Sequence, residues 1–440
     1  MVAPVPALRR TLSFRDLVVY GLLFIGPLAP MGVFGVLDAR THGAVALVYA
    51  LATVAMAFGA WSYAQMTRVV PRAGSVFAYA TEGIGSTAGF VAGWLAMLDY
   101  LLIPSVAYLF TGIALHALVP SVPAWVFTLT AFAITTALNR AGVAVAARAG
   151  SVVLGAELVV LGIFLLSALV VVAGGGAARP LAEPFVGRGA FTLGPVVGAV
   201  SIAVLSFLGF DAIASFAEEH AGEARHIGRA IAACLALAGA LFVLQTWLGA
   251  VLSPMDPAAL AQMPERQGAA FYEVVRVAIG PWLSTVITLT KAVGPAFAAM
   301  TAQAAAARLL FGMAREGTLP AVLARVDDSR GVPGPALTLA AVLTLVVSAW
   351  ASMRADGLDV LVSIVDLGAL AAFTLLHASV IGYFVVRRRA AGGIWHLVWP
   401  VLGMGTTVWV IVESSALAKG VAGVWLALGM VVFISSRRGR

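Results

Sequence analysis

The chain has 440 residues, 61% hydrophobic and only 11% charged, with a mean hydropathy of +1.01. That composition excludes an ordinary soluble domain and marks an integral membrane protein. The net charge of +7 does not point to nucleic acid, because the arginines punctuate apolar runs instead of forming a basic, aromatic-studded surface.

Taken in order, runs of roughly 18 or more apolar residues predict about twelve spans. They cover 17–37, 44–66, 88–118, 121–138, 149–173, 191–217, 230–252, 281–313, 335–353, 358–386, 395–414 and 418–435. Arg9, Arg10 and Arg15 precede the first run as in a signal peptide, but the run is too long and lacks a cleavage site, so it reads as a span. With the N-terminus inside, basic loop residues divide nineteen inside to seven outside, which predicts both termini in the cytoplasm. Pro71–Ser75 predicts a turn into a short interfacial helix, and Arg315–Pro320 a similar stop. The longest loop, about 253–280, predicts a short surface helix.

Two spans contain a break. In the first, Gly26-Pro27-Leu28-Ala29-Pro30-Met31-Gly32 places two prolines between glycines, and the missing donors predict unwinding. In the sixth, Ser206-Phe207-Leu208-Gly209-Phe210-Asp211 places a glycine and a carboxylate near the bilayer midplane. Unwound backbone persists at that depth only inside protein or beside a cavity, and paired breaks in two halves of a chain point to a transporter's binding site.

Ionisable residues inside spans are costly and mark function by default. Asp99 and Tyr100 lie mid-span, with Tyr108 about two turns on, and a carboxylate beside aromatic rings suits an amine. Asp211 with Phe207 and Phe210 repeats the combination. The blander readings are Tyr100 as core packing with Asp99 capping a neighbouring helix, and a glycine-containing helix whose Asp211 pairs with a neighbour. Glu157 and Lys291 both fall near mid-depth, where a static buried ion pair is the plain alternative. Cys234 sits in an apolar run and reads as packing, and one cysteine allows neither an intrachain disulfide nor a cysteine metal cluster. His220 and His226 beside Glu218, Glu219 and Glu223 read as a solvated helix end. Asp327-Asp328 suggests the metal pair of a polytopic membrane enzyme, but its loop offers few further ligands. No phosphate loop or nucleophile elbow occurs, so no catalytic residue, metal or cofactor is expected.

The motifs together resemble a family, the amino acid, polyamine and organocation transporters. They are Pro27 to Gly35, Val70 to Ser75, Gly93-Trp94 with Leu98-Asp99-Tyr100, Ser206 to Asp211 through Glu218-Glu219, and Arg308 to Gly317 ending at Pro320. Within it the chain looks closest to bacterial putrescine importers. The resemblance implies an all-α membrane fold, a five-plus-five inverted repeat like that of a leucine transporter, with spans one and six broken. The repeats would cover about 16–174 and 190–390 of a transport core at 1–390, with two added spans at 391–440. It implies a substrate site from Gly26, Pro27, Ala29, Met31, Gly32, Asp99, Tyr100, Tyr108, Phe207, Gly209, Phe210 and Asp211. It places spans five and eight beside span one, where Glu157 would carry the coupling proton and Lys291 modulate it, with sodium the alternative ion.

Two departures matter. Many amino acid carriers have a Gly-Ser-Gly turn in span one whose amides bind a carboxylate; Pro27 and Pro30 cannot donate, which favours a carboxylate-free amine. After Glu219, His220 to Arg225 replaces the family's Asn-Pro turn. The expectation is a secondary transporter of the bacterial cytoplasmic membrane, importing a small amine, putrescine first, by alternating access with a proton. Its partners are that cargo and the bilayer, with no nucleic acid and no obligate protein. An amino acid permease or exchanger is the alternative; a membrane enzyme or a non-transporting amine sensor is more remote.

Overall fold

Lipid offers no hydrogen bonds, so a spanning backbone must satisfy itself within each segment. The computed structural model describes residues 8, 10–189, 193–327, 331–354, 357–388, 393–413 and 416–438, and there every regular element is helical. In order these are α1 (Phe14–Ile25), α2 (Ala29–Arg40), α3 (Val45–Val69), α4 (Ser75–Gly83), α5 (Ser86–Leu118), α6 (Ala124–Ala141) and α7 (Val143–Ala173). There follow α8 (Glu183–Val186), α9 (Leu193–Leu205), α10 (Ala212–Ser215), α11 (Ala224–Val251), α12 (Pro257–Ala261), α13 (Pro264–Gln267) and α14 (Ala270–Ala278). The chain continues with α15 (Pro281–Arg315), α16 (Gly334–Ser352), α17 (Gly357–Val380), α18 (Trp395–Glu413) and α19 (Ala416–Arg438).

Among the described residues nine helices are long and apolar enough to cross a membrane, or ten if the bent pair α1 and α2 is one span. The expected twelve differ for two physical reasons. α6 carries Thr128, Thr135, Thr136 and Asn139 on a buried face, which lowers its hydropathy. α9 stops at Leu205, because the break cuts its span short.

The core is built where α3 packs on α11 and α5 on both α15 and α17. α4 departs from expectation: Val76, Phe77, Tyr79 and Ala80 are buried, so it is an internal helix wedged against α5 and α17 instead of an interfacial one. The long loop holds three short helices, two of them with proline in the first turn, where a missing N–H leaves nothing unsatisfied.

Both breaks are present, and the first is narrower than two prolines suggest. α1 ends at Ile25, Gly26 turns the chain at φ +74°, and α2 leaves at 43°. Only Pro27 lies in the break; Pro30 sits in the first turn of α2 and helps to start it. The amides of Ala29 and Met31 are spent on turn bonds to Gly26 O (2.9 Å) and Leu28 O (3.2 Å). In the second break residues 206–211 are not regular α-helix, Gly209 has φ +118°, and α10 adds only one turn.

The two breaks touch. A Cβ on Gly209 would lie 2.2 Å from the ring of Phe24, so this glycine supplies both a left-handed backbone and the space for α1. Gly209→Ala is expected to cost about 1–3 kcal/mol from backbone strain alone, with the Phe24 clash added. Thermal unfolding of the purified variant checks this, and adding Phe24→Ala should recover only the steric part.

Candidate binding site at the helix breaks

Asp211 opens the short helix after the second break and is 2% exposed. Its Oδ2 accepts from the hydroxyls of Tyr100 (2.5 Å) and Tyr63 (3.4 Å), and its Oδ1 from the Gly209 amide (3.2 Å). Hydroxyl and amide donors hold the carboxylate, and among the described residues no Lys, Arg or His nitrogen lies within 4 Å of it. Tyr63, on α3, was not singled out in the sequence, where it is one aromatic in an apolar run. Here its ring meets Phe210, Tyr79 and Phe373 edge-on.

The other expected residues divide. Asp99 is buried where α5 meets α17, at a close approach permitted by Gly368. Phe207 and Phe210 are fully buried in aromatic packing, Phe207 on Phe242 of α11 (4.9 Å) and Phe210 on Tyr63 and Phe373. Tyr49 steadies this break by a 3.0 Å bond between its hydroxyl and Ser206. Tyr108 lies apart from the cluster: its hydroxyl pairs with Thr135 of α6 at 2.6 Å and its ring meets Phe132. Met31 is buried, while Gly32 is exposed, and a Cβ on Gly26 or Gly32 would meet nothing within 4 Å. Open space therefore adjoins the first break. The Pro27 carbonyl there accepts from Gln245 Nε2 of α11 at 3.0 Å.

Glu157 of α7 is 3% exposed, and its Oε1 lies where a Cβ on Gly294 would be, 2.0 Å away. Its Oε2 accepts no hydrogen bond. Pro295 follows Gly294 within α15, so the Lys291 carbonyl lacks its usual helical donor. Lys291 is half-buried, and no ion pair within 4 Å joins it to Glu157.

A separate shallow groove of about 510 Å³ runs between α3 and α11, lined by Ala50, Thr53, Phe185, Val243 and Trp247. Its nearly all-apolar wall suits lipid tails and lies on the far side of α11 from the chemistry just described. Asp328, half of the aspartate pair, lies outside the described residues, as do Arg9, Arg330, Arg389 and Arg440.

A model of the amino acid permease family matches residues 17–435. The chain belongs to that family. It is 31% identical to the low-affinity putrescine importer PlaP of Escherichia coli, over 96% of this chain and 93% of that one. It is 26% identical to the methylthioribose transporter of Bacillus subtilis, over 98% and 94%. It is also 26% identical to the branched-chain amino acid permease BcaP of Bacillus subtilis, over 87% and 82%. The protein is thus a multi-pass membrane transporter, not an enzyme.

The permease closes both ends of its broken span with ion pairs. Beyond the end of α2, Arg179 is 2% exposed and grips Asp38 with two 2.9 Å bonds. It also donates to Ser253 O, Ser253 Oγ and Met255 O. Glu183 and Arg188 extend the cluster to Asp256, whose carboxyl is held below the ordinary range chiefly by the Ala258 amide. The N-terminal end is fastened differently. The amides of Thr11 and Leu12 bond Glu219 O at 2.9 Å, and the Ala221 amide bonds Leu12 O at 3.0 Å. The Glu219 carboxylate pairs with Arg308, whose guanidinium also lies 4.2 Å from the Phe216 ring centre. Glu218 pairs with Arg315 and accepts from the Ala73 amide, and Arg72 pairs with Glu316.

These contacts correct the sequence reading. Glu219 and His220, read as part of a solvated helix end, are buried, and so are Arg179 and Arg308, which entered the sequence reading only through the charge balance of the two sides. A loop can carry its charge inward when a carboxylate waits on another segment, and hydropathy does not see that partner.

Asp38→Asn leaves buried Arg179 with only Glu183, 3.7 Å away and shared with Arg188, as counter-charge, so a loss approaching about 3 kcal/mol is expected. The apolar pair Asp38→Leu with Arg179→Met should be less destabilised than either single change. Thermal unfolding in one detergent ranks the three.

Proposed function

We propose that the protein imports a small cationic amine, putrescine the first candidate, across the bacterial cytoplasmic membrane by alternating access. The observation that carries this is Asp211, a buried carboxylate at the meeting point of two helix breaks whose nearest partners are hydroxyls and an amide. An anion in that setting lacks a counter-charge, and an ammonium group on the cargo supplies one. A cargo carboxylate finds less: Pro27 and Pro30 have no N–H, and the amides of Ala29 and Met31 are engaged. The likeness to a putrescine importer points the same way.

In this reading Gly26, Pro27, Gly209 and Asp211 line the cargo site, with Tyr100 and Tyr63 orienting the carboxylate. The five-plus-five repeat spans about 16–174 and 190–390, followed by two added spans, and both termini lie in the cytoplasm. The Arg179 cluster then faces outside and the Arg308 cluster inside, so each opens in one half of the cycle.

Glu157 carries the coupling proton. Its orphaned Oε2, buried with Oε1 against Gly294, makes a place where charge on the carboxylate is costly and a proton relieves it, and Lys291 modulates that proton. Voltage adds to the drive, at about 2.3 kcal/mol per charge per 100 mV for an inward cation.

Counterflow in proteoliposomes loaded with mixed amines and amino acids tests the cargo without assuming a driving ion. Labelled putrescine is expected to enter and leucine to stay out; entry of leucine alone overturns the reading. Asp211→Asn is expected to lower kcat/KM for putrescine at least about tenfold, a loss of about 1.4 kcal/mol. Coupling has its own check. Glu157→Gln should retain counterflow but lose concentrative uptake and its response to external acidity, and uptake that stays concentrative and pH-dependent removes the proton role.

A further inference from the structure

Gln245 is a polar side chain at the breaks with one end of its amide bonded and the other not. It is fully buried on α11. Its Nε2 donates to Pro27 O of the first break (3.0 Å) and to Leu241 O one turn back (3.1 Å). Phe242, three residues before it, packs on Phe207 of the second break. Gln245 therefore stands between both interrupted segments. Its Oε1 is buried and accepts nothing.

The amide's orientation is settled by its neighbours. Rotated by half a turn, Oε1 would face two carbonyl oxygens and Nε2 would lose both acceptors, so the oxygen must point away from Pro27 and Leu241. A buried acceptor without a donor is costly to keep, so a donor from outside the chain would stabilise it. Next to Pro27, a Cβ on Gly26 would meet open space.

We infer that Gln245 is a specificity-determining residue of the cargo site, its Oε1 accepting a hydrogen bond from a primary ammonium group of the cargo. This rests on the cargo-site reading above, but not on putrescine itself, because an amino acid carries the same donor. Asp211 then supplies charge from the second break, and Gln245 supplies a neutral acceptor beside the first. The Nε2 end has a separate duty, holding the unwound Pro27 carbonyl in place.

The two ends are separated by opposite substitutions. Gln245→Lys keeps a donor for Pro27 O, removes the acceptor and adds positive charge; Gln245→Glu keeps acceptors and removes the donor. Uptake kinetics are measured with labelled putrescine, or with labelled leucine if counterflow shows that wild type carries leucine instead. The cargo reading thus fails or stands on wild type alone, before any variant is compared. For Gln245→Lys the KM is expected to rise about tenfold or more at similar kcat, while Gln245→Glu stays within roughly threefold of wild type or binds more tightly. Equal shifts in both variants, or none, overturn the inference and leave Gln245 as a structural clamp. Should Gln245→Lys fail to fold, Gln245→Met, uncharged and similar in volume, serves. A raised KM with an unchanged melting temperature supports the ammonium contact, and a lowered melting temperature with unchanged KM overturns it.

Discussion

A helix interrupted inside a bilayer exposes carbonyls and amides that lipid cannot satisfy, and this permease interrupts two. How those groups are satisfied governs the surrounding architecture. The breaks are placed against each other, with Phe24 lying on Gly209, so that each shields the other from lipid. Turn bonds absorb the amides of Ala29, Met31 and Ala212, and Gln245 reaches across from α11 to the Pro27 carbonyl. Asp211 bonds back to the Gly209 amide and draws in Tyr63 and Tyr100 from α3 and α5. The candidate site thus follows from closing the hydrogen bonds of the interrupted backbone, with Gln245 Oε1 left buried and without a donor.

The breaks were legible because proline and glycine act locally. A missing N–H or a positive φ is a property of one residue, so Pro27 and Gly209 announce themselves without knowledge of the fold. Asp211 was legible for a related reason, since a carboxylate at mid-depth is expensive anywhere. Partnership was not legible. Nothing near Arg179 in the chain reveals Asp38, 141 residues away, and nothing near Arg308 reveals Glu219, 89 residues away. Tyr108 shows the converse: helical spacing puts it on a similar face to Tyr100, while its hydroxyl bonds Thr135 of a neighbouring helix. Gln245 and Tyr63 were not legible because neither adjoins a break or a carboxylate in the sequence. A wider rule, that any amide or hydroxyl at mid-depth needs a partner, would have raised both.

Three of the motifs that carry the family resemblance converge in space. The Val70 to Ser75 turn, Glu218-Glu219 and the Arg308 to Gly317 segment lie far apart in sequence, yet the Ala73 amide, Glu218 and Arg315 share one cluster. Gly74 and Gly312 meet backbone to backbone beside it: a Cβ on Gly312 would lie 2.8 Å from the Gly74 Cα. This end of the molecule, more than the site at the breaks, is what those motifs encode. Replacement of the family's Asn-Pro turn by His220 to Arg225 is accommodated locally, since the His220 ring and the Ala221 amide both bond Leu12 O.

The Arg179 and Arg308 clusters differ in kind. The Arg179 cluster joins loops to the tip of α2 through side chains, with Arg179 sharing its donors among Asp38, Ser253 and Met255. Opening it exposes a guanidinium and a carboxylate that water can take over at once, so its desolvation cost is returned as it parts. The Arg308 cluster adds backbone pairing of residues 11–12 with 219–221, and a ring stack of Tyr20 on Phe216 beneath the guanidinium. Parting it also uncovers apolar rings, for which water gives no compensation. The two clusters therefore differ in what they hold away from water, and the N-terminal segment, bonded to Glu219 and through it to Arg308 of α15, belongs to the one that also covers apolar rings.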